Sequence, residues 1–307
     1  NDAKWRVPIY FAVTVSQSNR IGLDNYLDMQ GLTFQLKSHK TKPVDREKMY
    51  ANLMTDVGSQ VWSKEFSPAD FNREEDLDYL NWSRDYQPGY LFRNLGNDQV
   101  YFNNQIIRLL QNYRSACMES TVTYYLDYQK ETSTFNPTGI VPTNLPATTL
   151  AVLDRMRRNI PESTIPITAE DLHYQVARLY GDLDRTETMR QILNKLTSTV
   201  VTRPDNRVEY ANVYYRELGD TSKALNMLEN LQSEFIQMES MIRVKGFGRK
   251  TVSSKQWQKW QRAYPDIISS LVYIYRAAGR DLEAETVLND WVERYPNDRN
   301  AKKLLDE

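Results

Sequence analysis

The chain is poor in residues that cross-link or do chemistry. It has one cysteine in 307 residues, Cys117, so an intrachain disulfide is excluded. Cys117 falls within an apparent helix and is expected to be a small core residue. The two histidines, His39 and His173, lie far apart, and nothing suggests a nucleophile–histidine–acid site. No run of roughly 18–20 apolar residues occurs, so no membrane-spanning helix lies within the sequence. Nucleophile elbow, phosphate loop, zinc spacing and dinucleotide fingerprint are all missing. An excess of one charge is missing too. With 39 Lys+Arg against 40 Asp+Glu, the net charge is -1, and bulk electrostatics give no drive toward nucleic acid or an anionic membrane.

What is present supports a packed core. Hydrophobic residues make up 40% and charged residues 26%, far from a disordered composition. The length suits two domains, or one domain followed by a repeat array. The expected class is α+β: a small mixed α/β part over residues 1–98, then a connecting helix over 99–135, then an all-α array over 136–307.

Four patterns carry the first part. "VPIYFAVTV" is apolar or β-branched almost throughout, which predicts a strand buried on both faces. "RIGLDNYLDMQ" suits a short helix, and "GLTFQLKS" alternates as a half-buried strand does. In "KPVDREKMYANLM", Pro43 ends the strand, Asp45 is a capping residue, and Met49, Tyr50 and Leu53 line a helix. A core strand this close to residue 1, with no basic and apolar leader, leads us to expect that the natural protein continues upstream.

From Val100 the pattern becomes helical. Ile106, Leu109, Leu110, Tyr113 and Cys117 mark one long helix, and a proline-bearing linker follows in "ETSTFNPTGIVPTNLP". Three later segments look alike, starting at Val176, Ala211 and Leu271. Gly219 is followed by Ala224 and Leu228, and Gly279 by Ala284 and Leu288 at the same offsets. In the first segment Leu183 takes the glycine's place, followed by Thr188 and Ile192. These offsets are those of a tetratricopeptide-like repeat, whose period is near 34 residues. The separation from residue 219 to 279 is too long for one period, so extended helices or an insertion near 236–262 are expected.

That stretch is the main candidate site. Within it, residues 240–262 hold Arg243, Lys245, Arg249, Lys250, Lys255, Lys259 and Arg262 with no acidic residue, interleaved with Phe247, Trp257 and Trp260. Cations alternating with aromatics can hold anionic head groups or a partner. The competing expectation is a solvated segment whose tryptophans pack on the helices. A second candidate is an aromatic contact surface at Trp82, Tyr86, Tyr90 and Phe92, with core packing as the alternative. Glu74, Glu75, Asp76 and Asp78 lack the spacing and glycine of a calcium loop and suit a solvated acidic loop. "KGFGRK" is too short to cradle a phosphate and follows no clear strand.

One resemblance goes further. "WRVPIYFAVTVS", "IGLDNYLDMQGLTFQL", "VDREKMYANLM" and "VYFNNQIIRLLQNYRSA", in that order, resemble the C-terminal part of a bacterial family. Its members are multi-spanning membrane proteins common in Bacteroidetes-type bacteria, classed with protein O-mannosyltransferase-like glycosyltransferases. The resemblance covers most of residues 4–120 and, more loosely, the repeats. It implies a soluble region on the periplasmic side of the inner membrane, in the bacterial cell envelope, anchored by an upstream membrane part that uses a polyprenyl-phosphate sugar. It implies no catalytic residue and no cofactor in this chain. Protein partners through the repeats, membrane through the upstream part, and no nucleic acid are the partners it implies. A non-enzymatic repeat scaffold in an envelope complex is the other expectation.

Overall fold

The computed structural model describes residues 8–55, 89–90, 92, 94–133, 144–199, 203–248 and 252–306. Among these residues the chain is mostly helical, with ten α-helices and one three-stranded antiparallel sheet. It divides into two compact units, Asn1–Thr168 and Ala169–Glu307.

In the first unit the sheet order is β1 (Tyr10–Ala12), β3 (Thr33–Leu36), β2 (Leu27–Met29). Phe11 pairs with Phe34, and Met29 faces Phe34 from the other side. The opening strand is therefore an edge strand and is not buried on both faces. Phe11, Val13 and Val15 are half-buried, whereas Tyr10, Ala12 and Thr14 are exposed. An apolar run conceals this alternation because Tyr, Ala and Thr tolerate water on one face. The segment after it also differs from expectation. Asp24–Tyr26 is a single 3-10 turn, and Leu27–Met29 continues as strand β2 with all three residues buried. The carboxylate of buried Asp28 accepts from Gln30 Nε2 at 2.9 Å and pairs with Lys37 at 3.3 Å.

Helix α1 (Arg46–Met54) starts where expected, because the Asp45 carboxylate accepts the Lys48 N–H. Its inward residues are Met49 and Leu53. The long helix α2 (Asn104–Ser133) packs along α3 (Asn144–Asn159), and both meet α1. Tyr124 Oη donates to the Arg46 carbonyl at 3.1 Å, and Arg46 pairs with Asp127. The inward stripe of α2 begins later than its apolar pattern suggests. Ile106 and Leu109 are exposed, while Arg114, Cys117 and Thr121 are buried. Helix α2 thus belongs to the core of the first unit, together with α3.

The second unit begins with α4 (Glu170–Asp182) and α5 (Thr186–Thr199). Two more hairpins follow: α6 (Pro204–Arg216) with α7 (Thr221–Lys245), and α8 (Ser254–Ala277) with α9 (Asp281–Arg294). A short helix, α10 (Arg299–Asp306), packs on α9. The three turns are alike, although the second is one residue longer. Arg185, Asp220 and Arg280 each donate a backbone N–H to the carbonyl of a tyrosine: Tyr180, Tyr214 and Tyr275. A left-handed residue precedes each donor: Asp184, Gly219 and Gly279. Asp184, not Leu183, therefore stands in the glycine's place. Leu183 is buried one position earlier, and aspartate is among the few side chains that enter this conformation readily.

The offset of one residue corrects the inward positions as well. Met189 and Leu193 correspond to Ala224 and Leu228, and to Ala284 and Leu288; all six are at most 1% exposed. Met189 is large where the other two hairpins have alanine. Gly181 accommodates it, since a Cβ there would lie 2.3 Å from Met189 Sδ. The extra length between Gly219 and Gly279 is taken up by longer helices. Helices α7 and α8 have 25 and 24 residues, against 13 or 14 in α4, α5, α6 and α9.

Candidate functional site

Two surfaces of the second unit combine exposure with chemical character. One is the far end of the α7–α8 hairpin, where the basic stretch lies. Asp220 caps the start of α7 and Ser253 the start of α8, each through its side chain. Between them the hairpin has its own small core. Phe235 is fully buried, with Tyr264 stacked on it at 3.9 Å and Trp257 at 4.9 Å between ring centroids. Trp260 is 5% exposed and Val252 is also buried.

The basic residues and tryptophans therefore separate. Arg243, Lys245, Lys255 and Lys259 are exposed, while Trp257 is half-buried and Trp260 buried. The mixed cation–aromatic surface is not assembled from those tryptophans. Its exposed apolar residues are others: Val244 at 78% and Phe247 at 51%. Arg249 and Lys250 lie outside the described residues. Helix periodicity explains the separation. Lys255, Lys259 and Arg262 recur at spacings of four and three on one side of α8, and Trp257, Trp260 and Tyr264 at the same spacings on another. The base of this end is tied to α9, where Arg294 pairs with Glu239 and with Asp290.

The other surface runs along the first helices of the hairpins. Helices α4, α6 and α8 are neighbours. Tyr174 and Tyr210 rings meet at 4.9 Å, Tyr174 Oη donates to Glu209 at 2.7 Å, and Arg178 pairs with Glu217. Between α6 and α8, Asn212 donates to Ser270 at 3.3 Å, and Tyr215 and Tyr273 meet edge to face at 5.8 Å. The Arg216 guanidinium lies over the Tyr273 ring, and Tyr273 is 55% exposed. The outward side is thus lined by Tyr174, Arg178, Glu209, Asn212, Arg216 and Tyr273. Sequence reasoning missed these positions as a group. The available signal was the aromatic pairs ahead of each turn, which look like packing residues until the neighbouring helix is known.

The buried tyrosines are held neutral. Burial and a hydrogen bond to Glu170 raise the Tyr210 hydroxyl well above its usual range, and burial with Glu229 does so for Tyr275. Burial also pushes the Cys117 thiol up to about 12, which removes the thiolate a nucleophile needs. His39 is exposed in the first unit and His173 is buried in the second.

The second aromatic candidate is described only in part. Tyr90 and Phe92 are half-buried and meet Tyr113 at 5.3 and 6.0 Å between centroids. Arg155 lies over Phe92 at 5.7 Å. Trp82, Tyr86 and the acidic run Glu74–Asp78 fall outside the described residues.

Arg114 is another residue that sequence reasoning passed over. It is 1% exposed on α2 and donates to the carbonyls of Ile160, Ile165 and Pro166 and to Gln111. Burial lowers it to about 10, with Glu162 acting in the opposite direction. Three of its four partners are backbone carbonyls between residues 160 and 166, so its role is to fix that segment against α2.

Among the described residues, no group of three His, Cys, Asp or Glu side chains is arranged to hold a metal. No described helix is long and apolar enough to cross a membrane. No family model, curated protein or solved structure matches the chain.

Proposed function

We propose that the second unit is a tetratricopeptide-like hairpin stack that holds a partner polypeptide on the face formed by α4, α6 and α8. One observation carries this. Three hairpins, each with a left-handed residue at its turn, bring their first helices side by side, leaving Tyr273 and its Arg216 partner exposed on the shared face. A surface of partly exposed tyrosines, arginines and carboxylates suits a peptide. Tyrosine gives amphipathic contact area with little rotamer loss, and the charged groups fix orientation.

The resemblance of residues 4–120 gives the partner a context. In that reading the chain is the periplasmic portion of a membrane-embedded enzyme that moves sugar from a polyprenyl phosphate to protein. The held polypeptide is then the acceptor or a member of the same assembly, and the sugar chemistry belongs upstream.

Purified residues 1–307 are tested with a polyprenyl-phosphate mannose and an immobilised random peptide library. The chain is expected to retain a subset of peptides without transferring sugar. Tyr273→Ala with Arg216→Ala should weaken retention about tenfold or more, and Glu285→Ala, exposed on α9, should leave it unchanged. Sugar transfer by this chain contradicts the division of labour. Retention equal in the face variant and the parent contradicts the binding face.

A further inference from the structure

The end of the α7–α8 hairpin is separate from the proposed peptide face, and its composition is different. Five exposed cations between residues 243 and 262 have no acidic residue among them in sequence, in a chain whose overall charge is -1. Glu239, just before this run, contacts Arg243 at 3.6 Å and is shared with Arg294, and Asp266 follows Arg262 by one helical turn. Val244 and Phe247, where α7 ends and the loop begins, are 78% and 51% exposed. Gly246 closes α7 at a φ of 69, a conformation that releases the chain from the helix and sets Phe247 beyond its end.

Three anionic partners are compatible with cations alone, and the apolar residues discriminate among them. Single-stranded nucleic acid needs aromatic platforms on which bases stack. Of the two tryptophans that could serve, Trp257 is half-buried and stacked on Phe235, and Trp260 is buried. An acidic peptide needs a groove or a partnered helix face, whereas Val244 and Phe247 project at the end of a hairpin. An anionic bilayer surface accepts this arrangement: the apolar tip enters the boundary between head groups and acyl chains, and the long basic side chains reach phosphates around it.

We infer that the α7–α8 tip is a contact for anionic lipid, with Val244 and Phe247 inserting and Arg243, Lys245, Lys255 and Lys259 engaging head-group phosphates. This contact is independent of peptide capture by the first-helix face. It gives the second unit a membrane-facing end without a membrane-spanning segment. The hairpin core around Phe235 keeps the two helices together, so the cations at the end of α7 and the start of α8 are carried on packed helices.

The test uses the full chain and phosphatidylcholine vesicles with or without about 30% phosphatidylglycerol. Flotation should show at least roughly tenfold preference for the anionic vesicles, lost at high salt as exposed charges are screened. Lys255→Gln with Lys259→Gln should lower binding roughly fivefold per lysine. Val244→Ser with Phe247→Ser should lower it about tenfold or more at unchanged charge. Both pairs are exposed, so unaltered thermal unfolding separates loss of contact from loss of fold. Equal binding to both vesicle types, no binding to either, or binding that neither double variant changes overturns the inference. Tighter binding to single-stranded oligonucleotide than to anionic vesicles also overturns it. Retention of library peptides by the tip variants distinguishes this outcome from failure of the peptide face.

Discussion

Phe235 is the single side chain on which the long hairpin most depends. It is fully buried on α7, and two rings from α8 stack on it, Tyr264 at 3.9 Å and Trp257 at 4.9 Å. Truncation of a buried phenylalanine to alanine costs about 3–5 kcal/mol. Each aromatic pair contributes about 0.5–1.5 kcal/mol beyond area burial, so Phe235→Ala belongs at the upper end, near 4–5 kcal/mol. For a unit of this size that corresponds to a fall in Tm of roughly 10–20 °C. Phe235→Leu keeps most of the volume and loses the stacking, and a fall of about 2 kcal/mol is expected. Thermal unfolding followed by far-ultraviolet circular dichroism and by tryptophan emission measures both. Because Trp257 lies against Phe235, its emission should shift to the red in the alanine variant before the helices unfold. A Phe235→Ala protein within about 1 kcal/mol of the parent, with unchanged emission, refutes the hairpin core and the inward assignment of the tryptophans.

Three further predictions test other parts of the structure. Arg114→Met leaves three carbonyls of residues 160–165 and 166 without their guanidinium; at about 1 kcal/mol each, denaturant unfolding should show a loss near 3 kcal/mol, and no loss refutes the anchoring role. Gly219→Ala and Gly279→Ala place a Cβ on left-handed residues and should each lose about 1 kcal/mol in the same assay, whereas Asp184→Gly should lose nothing. Tyr210, Tyr264 and Tyr275 are buried and their hydroxyls titrate above the usual 10. Above pH 10 the unfolded chain has lost phenolic protons that the folded chain keeps, so stability is fully present below pH 10 and falls as pH rises, by about 1.4 kcal/mol per unit per tyrosine. Phenolate absorbance and circular dichroism should then change together; phenolates appearing near pH 10 in a fully helical protein contradict the burial.

How much of this could be seen in the sequence depended on distance along the chain. The Asp45 cap, a strand at Thr33–Leu36 and the long helix expected over 99–135 rest on neighbouring residues, and the structure has a cap, a strand and a helix at Asn104–Ser133 there, although the strand's four residues are all half-buried rather than alternating. Sidedness was harder. Tyr10, Ala12 and Thr14 fit a buried run, and only the structure shows that the face they share is left uncovered. The turn register slipped by one residue because glycine marks two turns and aspartate the third. Arg114 is invisible as a core residue, since its partners lie 46 to 52 positions away and are backbone atoms. The tryptophans of the basic stretch were ambiguous for the same reason: Phe235, which takes one face of Trp257, precedes it by a whole hairpin arm. At the candidate site, the cations and Phe247 could be picked out from the sequence, and the exposed Val244 could not.

The claim that the first-helix face holds a polypeptide is tested most directly by site-specific photo-cross-linking in cells making the whole protein. The photoreactive residue replaces Tyr273 on that face or, as a comparison, exposed Asn289 on α9. We expect a discrete protein adduct at position 273, absent at 289, and reduced when Arg178 and Arg216 are changed to alanine. Adducts of equal yield at both positions, or none at 273, contradict it.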